Sequence, residues 1–293
     1  MQISLITDEI SADLETAIEI GASWGIHDFE LRTVGNHRVP DLPGYQKSRL
    51  KELLEEYQAR VVAISPGLFK CPFPAKSRGR FSVQALDNSL YQQWQRAIDL
   101  VRFNLEELLP KSLEYAVEIG AKIVVIFSFE RNSPASATAP DEILEILQTA
   151  ATQAEPLGLQ LAVEVENGYW ADSGKHTSDL ISRVNRPGLG VNWDPGNAFE
   201  AGDIPYPTGY QAIQKYVKHL HFKDVIRLSS GACEYAIDGQ IDWAGQIAAL
   251  FNDGYTGHLS IETHMRPRLR SAELALQRLR LLVKSASDPT PSH

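Results

Sequence analysis

Acids and imidazoles stand at the ends of four short β-rich runs in the second half of the chain. These runs close with Glu164-Val165-Glu166-Asn167, Trp193-Asp194-Pro195-Gly196, His219-Leu220-His221-Phe222-Lys223-Asp224 and Ile261-Glu262-Thr263-His264. Carboxylate oxygens and imidazole nitrogens bind divalent cations, and such an ion eases removal of a proton beside a carbonyl. Successive members of the set Glu164, Asp194, His221 and Glu262 lie 30, 27 and 41 residues apart. Strand alternation puts Glu164 and Glu166 on one face, and likewise His219 and His221. Pattern alone therefore leaves each of those pairs open.

The elements that must position these groups alternate between strand and helix. Strands are expected at 3–7, 29–32, 60–65, 123–127, 160–165, 190–193, 219–223 and 259–262. Helical stretches are expected at 11–24, with Ser11 as N-cap, and at 47–58, 140–156, 178–184, 210–215, 241–251 and 271–284. A further helical region spans 88–120, with a break at Pro110. Each crossover must return the chain to the same end, so eight strands alternating with helices imply a parallel sheet. Thr7-Asp8-Glu9-Ile10, after the first strand, is nothing like the Gly-rich turn of a dinucleotide-binding sheet. The preferred architecture is a single (β/α)8 TIM barrel over residues 1–284, with 285–293 a frayed tail. Such a barrel allots about 31 residues to each unit, so the spacing places the four groups on neighbouring strands at the catalytic end. A loop at 226–240 absorbs the excess in the longest gap.

The chain has 293 residues, 43% hydrophobic and 22% charged, a balance suited to a globular fold that needs no disulfides. Its two cysteines, Cys71 and Cys233, argue for a reducing compartment. No apolar run reaches membrane length, and the first residues lack the features of a signal peptide. A cytoplasmic location is expected. The net charge of −9 disfavours broad binding to nucleic acid or anionic membranes. A local basic stretch, Lys70, Lys76, Arg78 and Arg80, lies in the long loop after strand three and reads as a solvated loop or an anion site.

The four strand-end motifs resemble those of the xylose isomerase-like barrel superfamily, specifically its sugar phosphate isomerase/epimerase branch, and the likeness runs over nearly the whole chain. The resemblance selects Glu164 and His221 from their pairs and implies a cup of Glu164, Asp194, His221 and Glu262 around one divalent metal ion. Mn2+ or Mg2+ suits the oxygen-rich donor set, while the imidazole keeps Zn2+ and Co2+ compatible. It implies an isomerase or epimerase acting on a sugar or sugar-like hydroxy-carbonyl compound through an enediolate. Glu164 and Glu262 would serve as acid and base on opposite faces of the substrate. Relatives with the same cup dehydrate inosose or 3-dehydroshikimate, so a lyase is the alternative. A metal-dependent sugar-binding protein without activity is a third reading.

Around the cup, Glu166 and His264 either support the ligands or sit on the surface. Asn197 and His219 are further candidates for substrate binding or ligand support. Lys223 and Asp224 orient His221, touch substrate or pair with each other. Arg227 resembles an arginine that contacts substrate in ketose 3-epimerases, and otherwise faces solvent. Glu30 and Arg32 read as a pair across the barrel. Trp24, Trp193 and Trp243 read as packing residues. His27, His37, His176, His258 and His293 have no evident partners. The ketose 3-epimerases carry His where this chain has Asn197 and Glu where it has Trp170, which puts free-ketose specificity in doubt. Endonuclease IV, of the same superfamily, needs histidines that strands three and four do not supply here. The substrate is expected to be a small molecule, and Arg227, His264, Lys70 and Arg78 point to an anionic group on it. A homo-oligomer is compatible with the sequence.

Overall fold

A computed structural model describes residues 1–74, 88–131 and 138–287. Its centre is a closed barrel of eight parallel strands: β1 Gln2–Ile6, β2 Asp28–Leu31, β3 Arg60–Leu68, β4 Ile123–Ile126, β5 Gln160–Glu164, β6 Leu189–Trp193, β7 Val217–Phe222 and β8 His258–Ile261. Each pairs with its neighbours in sequence, and β1 closes the ring by pairing with β8 through Gln2↔His258 to Leu5↔Ile261.

Period-two alternation divides each strand between helix-facing and inward-facing side chains. Leu5 and Phe29 are fully buried beneath the helix Leu14–Ser23, whose Gly21 has no side chain to hold it away. A Cβ at Gly21 would come within 2.6 Å of the Phe29 ring. The opposite parity holds buried polar groups. Ser4 and Ser260 bond through their hydroxyls at 2.7 Å, and Glu30, Asn192, His219 and His221 are also inside. The polar layer continues upward into the strand-end acids.

All eight strands fall close to the expected positions, while the connections differ in several places. The first helix is capped by Asp13, whose Oδ1 accepts from Thr16 N at 2.9 Å, and Ser11 lies outside it. A short helical turn, Thr7–Ile10, occupies the residues before Ser11, leaving that serine extended. Pro110 does not break the rod after residue 88. The helix widens into a π-turn at Asn104–Leu108 and resumes as Leu109–Ile119, which accommodates the missing proline N–H. The loop after β7 contains an antiparallel ribbon, Asp224–Arg227 with Cys233–Ala236. The closing helix runs Arg268–Ser287, so 285–287 are helical; the remainder of the expected tail lies outside the described residues. Lys76, Arg78 and Arg80 also lie outside them. No helix among the described residues is long and apolar enough to cross a membrane.

Candidate metal centre

Glu164 closes β5, Asp194 and Glu262 immediately follow β6 and β8, and His221 is the fifth residue of β7. All four are at most 5% exposed. One donor atom from each lies within 4.8 Å of the others. His221 Nδ1 is 3.2 Å from Glu262 Oε2, 3.4 Å from Glu164 Oε1 and 3.8 Å from Asp194 Oδ2. Donors sharing an ion with bonds of about 2.1 Å sit about 3 Å apart when adjacent and about 4.2 Å apart when opposite. The cluster fits a divalent cation.

Local structure fixes each donor. Asp194 caps the helix Pro195–Glu200: its Oδ1 accepts from Asn197 N at 2.9 Å, leaving Oδ2 for the cup. That Oδ2 is buried and accepts no directed hydrogen bond, although Lys223 Nζ lies 2.8 Å away as an ion-pair partner. The His221 ring is held from behind, with Nε2 3.2 Å from Glu30 Oε1. A carboxylate can only accept, so Nε2 carries a proton, and Nδ1 faces the cup, where loss of its own proton would free a lone pair for an ion. Glu262 receives two cations, Arg32 Nη1 on Oε1 at 2.5 Å and Lys223 Nζ on Oε2 at 3.0 Å.

These contacts set the charges of the metal-free cup. Burial raises the Glu262 carboxyl, but Lys223, His221 and His264 outweigh it and hold it well below the usual range. Burial lifts the Asp194 carboxyl upward, with Glu262 and Glu164 adding to the rise. For His221, burial favours the neutral ring, yet Glu30, Glu262 and Glu164 carry it well above its ordinary value. Buried carboxylates thus outnumber the permanent cations that face them, and a divalent ion is the charge such a donor set accommodates.

Above the cup opens a cavity of about 250 Å³, lined by Glu164, His221, Lys223 and Glu262 and by Asp8, Arg32, Arg38, Lys70, Phe127, Glu166, Asn197, Glu200, Tyr235 and His264. Glu166 faces it and pairs with Lys70 at 3.1 Å; burial and Glu164 raise its carboxyl. His264 sits 3.3 Å from both Glu262 and Glu9; burial would lower its pKa, but chiefly Glu262 pushes it up to about 9. Asn197 lines the wall, and its amide donates to Val165 O at 2.9 Å.

Other sequence candidates fall elsewhere. His219 lies below the cup, bonded to Glu30 at 2.8 Å and Ser260 at 3.0 Å. Lys223 and Asp224 do not pair: successive side chains diverge, and Asp224 binds Arg278 at 2.7 Å. Arg227 lines a neighbouring cavity instead, its guanidinium on Phe199 O and Gly231 O and over the Phe199 ring. Glu30 and Arg32 share a face yet do not pair. Glu30 serves the two histidines and Ser65, and Arg32 serves Asp8, Glu9 and Glu262. Three histidines have partners the sequence did not reveal: His27 with Tyr57 O, His176 with Asp172, and His258 with Asp28. Trp193 and Trp243 are buried packing residues, and Trp24 is packed against the core.

Site residues that sequence reasoning missed are Asp8, Glu9, Arg38 and Tyr235, together with the actual roles of Glu30 and Arg32. A signal existed for Glu30, an acid flanked by Phe29 and Leu31 in a four-residue strand. Tyr235 could not be placed, because it reaches the cavity only through the ribbon.

Among solved structures, D-allulose 3-epimerase from Methylomonas sp., in complex with D-allulose, is 17% identical and superposes with a TM-score of 0.68, covering 96% of each chain. The probable 3-DHS dehydratase AsbF of petrobactin synthesis from Bacillus anthracis is 14% identical, with a TM-score of 0.68 over 99% of this chain and 100% of that one. The IOLI protein with a bound zinc atom is 19% identical, with a TM-score of 0.71 over 99% and 100%. At such identities the likeness speaks for the fold alone. No curated protein sequence matches this one. Residues 18–284 match the family described as xylose isomerase-like TIM barrel, and with the closed eight-stranded barrel this establishes that the chain belongs to that family.

Proposed function

We propose that the chain is a divalent-metal-dependent isomerase or epimerase of a sugar or sugar-like hydroxy-carbonyl compound. The carrying observation is the convergence of Glu164, Asp194, His221 and Glu262 donors within 4.8 Å beneath an open cavity. A cation held there, with Mn2+ or Mg2+ favoured by the oxygen donors, supplies a Lewis acid that polarises the substrate carbonyl and offsets the charge of an enediolate.

The protein's own groups do the rest. Glu164 and Glu262 stand at the ends of β5 and β8 and bracket the cavity, with β6 and β7 between them. One takes the proton beside the carbonyl and the other returns a proton at the carbon that receives it. Their surroundings differ. Glu262 is clamped by Arg32 and Lys223, whereas Glu164 has His221 Nδ1 as its ion-pair partner at 3.4 Å. Arg32, Lys223 and His264 place fixed positive charge where the enediolate forms. Support also comes from the relative crystallised with D-allulose and from the IOLI protein with its zinc.

The test is solvent exchange. Mn2+-loaded protein in D2O, given a panel of ketoses, aldoses and their acid and phosphate derivatives, should place deuterium beside the carbonyl of its substrate. Glu262→Gln and Glu164→Gln should each lower that rate by about 100-fold or more while leaving the fold intact. Exchange followed by an ultraviolet-absorbing product would assign the dehydratase chemistry instead. Undiminished exchange in both variants would remove the proposed roles.

A further inference from the structure

Five cationic side chains other than His221 line the cavity above the cup: Arg32, Arg38, Lys70, Lys223 and His264. Four are matched by carboxylates. Arg32 pairs with Asp8, Glu9 and Glu262; Lys70 with Glu166; Lys223 with Asp194 and Glu262; His264 with Glu9 and Glu262. Among the described residues, Arg38 alone of the five has no carboxylate at ion-pair distance, although five carboxylates line the same cavity.

An exposed arginine without a partner is ordinary on a surface. Arg38 is itself exposed, but its guanidinium is held in place. Nε donates to Ser65 O at 3.0 Å, at the bent end of β3. The planar group also lies against Gly67, where the backbone has φ +81 and an added Cβ would come 3.0 Å from Nε and 3.1 Å from Cζ. Below it the chain is anchored in a two-strand ribbon, Thr33–Val34 with His37–Arg38, and by the buried Val39. With Nε occupied, the terminal nitrogens remain as a fork whose spacing matches two oxygens of a carboxylate or phosphate.

We propose that Arg38 is the anion-recognition residue of this site, and that the substrate is a hydroxy-carbonyl compound carrying a carboxylate or phosphate which Arg38 binds while its vicinal oxygens face the cup. The assignment rests on the metal-dependent reading above and narrows it to anionic substrates. Fixing the fork beforehand lowers the entropy lost on binding, which is how one arginine can select for charge in an otherwise acidic cavity.

Calorimetric titrations of Mn2+-loaded protein test this with three probes that share one α-hydroxyketone and differ at one end: dihydroxyacetone, dihydroxyacetone phosphate and hydroxypyruvate. At least one anionic probe should bind about tenfold or more tightly than the neutral one, and which anion wins distinguishes phosphate from carboxylate. Arg38→Ala should erase that preference while leaving Mn2+ and dihydroxyacetone affinity within about twofold. Arg38→Lys, which keeps the charge and loses the fork, should recover only part of it. Equal affinity for all three probes, or a preference that survives Arg38→Ala, overturns the assignment. Mn2+ titration of the wild-type protein reads the cup separately, so absence of metal binding counts against the metal-dependent reading alone. In that event inorganic phosphate titrated into metal-free protein still decides on Arg38. Binding lost in Arg38→Ala supports the assignment, and binding unchanged or absent in the wild type refutes it.

Discussion

Arg32, the residue after β2, donates from Nη1 to Glu262 Oε1 at 2.5 Å, reaching past β1 to the end of β8. The same guanidinium holds Asp8 through Nε at 3.1 Å and Glu9 through Nη2 at 2.7 Å. One planar fork thereby fixes three carboxylates, and burial keeps these charges from being screened. Glu262 is positioned from outside the cup before any cation arrives.

Arg32→Lys tests that positioning. A lysine ammonium keeps the charge but cannot reach three carboxylates in one plane. Mn2+ affinity should fall about 10-fold or more, the range seen when groups supporting metal ligands are removed. Unchanged affinity by calorimetry would show that Glu262 needs no such clamp.

Glu30 has the corresponding role behind His221. It is fully buried and accepts from both histidines and from Ser65. Glu30→Gln replaces an acceptor with an amide that presents N–H to one of its partners, and it frees the imidazole to rotate. Mn2+ affinity should drop about 10- to 100-fold. Imidazole nitrogen NMR of the Mg2+-loaded protein should show Nε2–H on His221 in the wild type and a mixture of ring states in the variant.

Glu9 gives a pH dependence with a definite sign. Its Oε2 accepts from the backbone amides of Thr263 at 3.1 Å and His264 at 2.9 Å, binding the helical turn Thr7–Ile10 to the end of β8. Burial raises the Glu9 carboxyl, but His264 and Arg32 outweigh it and lower its pKa from 4.5 to about 2. A carboxyl depressed in the folded state contributes stability that is present above the unfolded value and lost as pH falls toward the folded one. Metal-free protein should therefore lose on the order of 3 kcal/mol from this group between pH 4.5 and 2. Glu9→Gln should be less stable at neutral pH and should flatten that part of the urea-denaturation profile.

Metal removal should be visible in stability. A ligand that binds the folded state at 100 times its Kd adds about 2.7 kcal/mol, which corresponds to a rise in Tm of about 4 °C for a chain of this size. EDTA should reverse the rise, and His221→Ala should rise by about 1 °C or less at the same Mn2+ concentration.

The barrel was legible because each strand is a short β-rich run separated from the next by a helical stretch. The strand-end donor candidates were legible because a carboxylate or imidazole following buried apolar residues has few other uses, but the choice of Glu164 over Glu166 and of His221 over His219 came from the family resemblance. What escaped depends on partners distant in sequence. Arg32 finds Glu262 across 230 residues and His219 finds Glu30 across 189, and no local pattern reports such pairs. Ser11 has the right chemistry for a cap, but the turn Thr7–Ile10 takes up the residues before it and Asp13 stands next to the helix. Arg227 follows the metal-site histidine at a suggestive spacing, yet the ribbon carries it to a neighbouring cavity. Arg38 went unnoticed because its significance lies in what it does not pair with.

The most direct test of the account is a Mn2+ titration of the metal-stripped protein, read by electron paramagnetic resonance of the free ion, for the wild type and for His221→Ala. The account predicts one tight site per chain, and a loss of affinity of about 100-fold or more in the variant with its circular dichroism unchanged. No tight site in the wild type, or equal binding by the variant, would contradict a cation shared by Glu164, Asp194, His221 and Glu262.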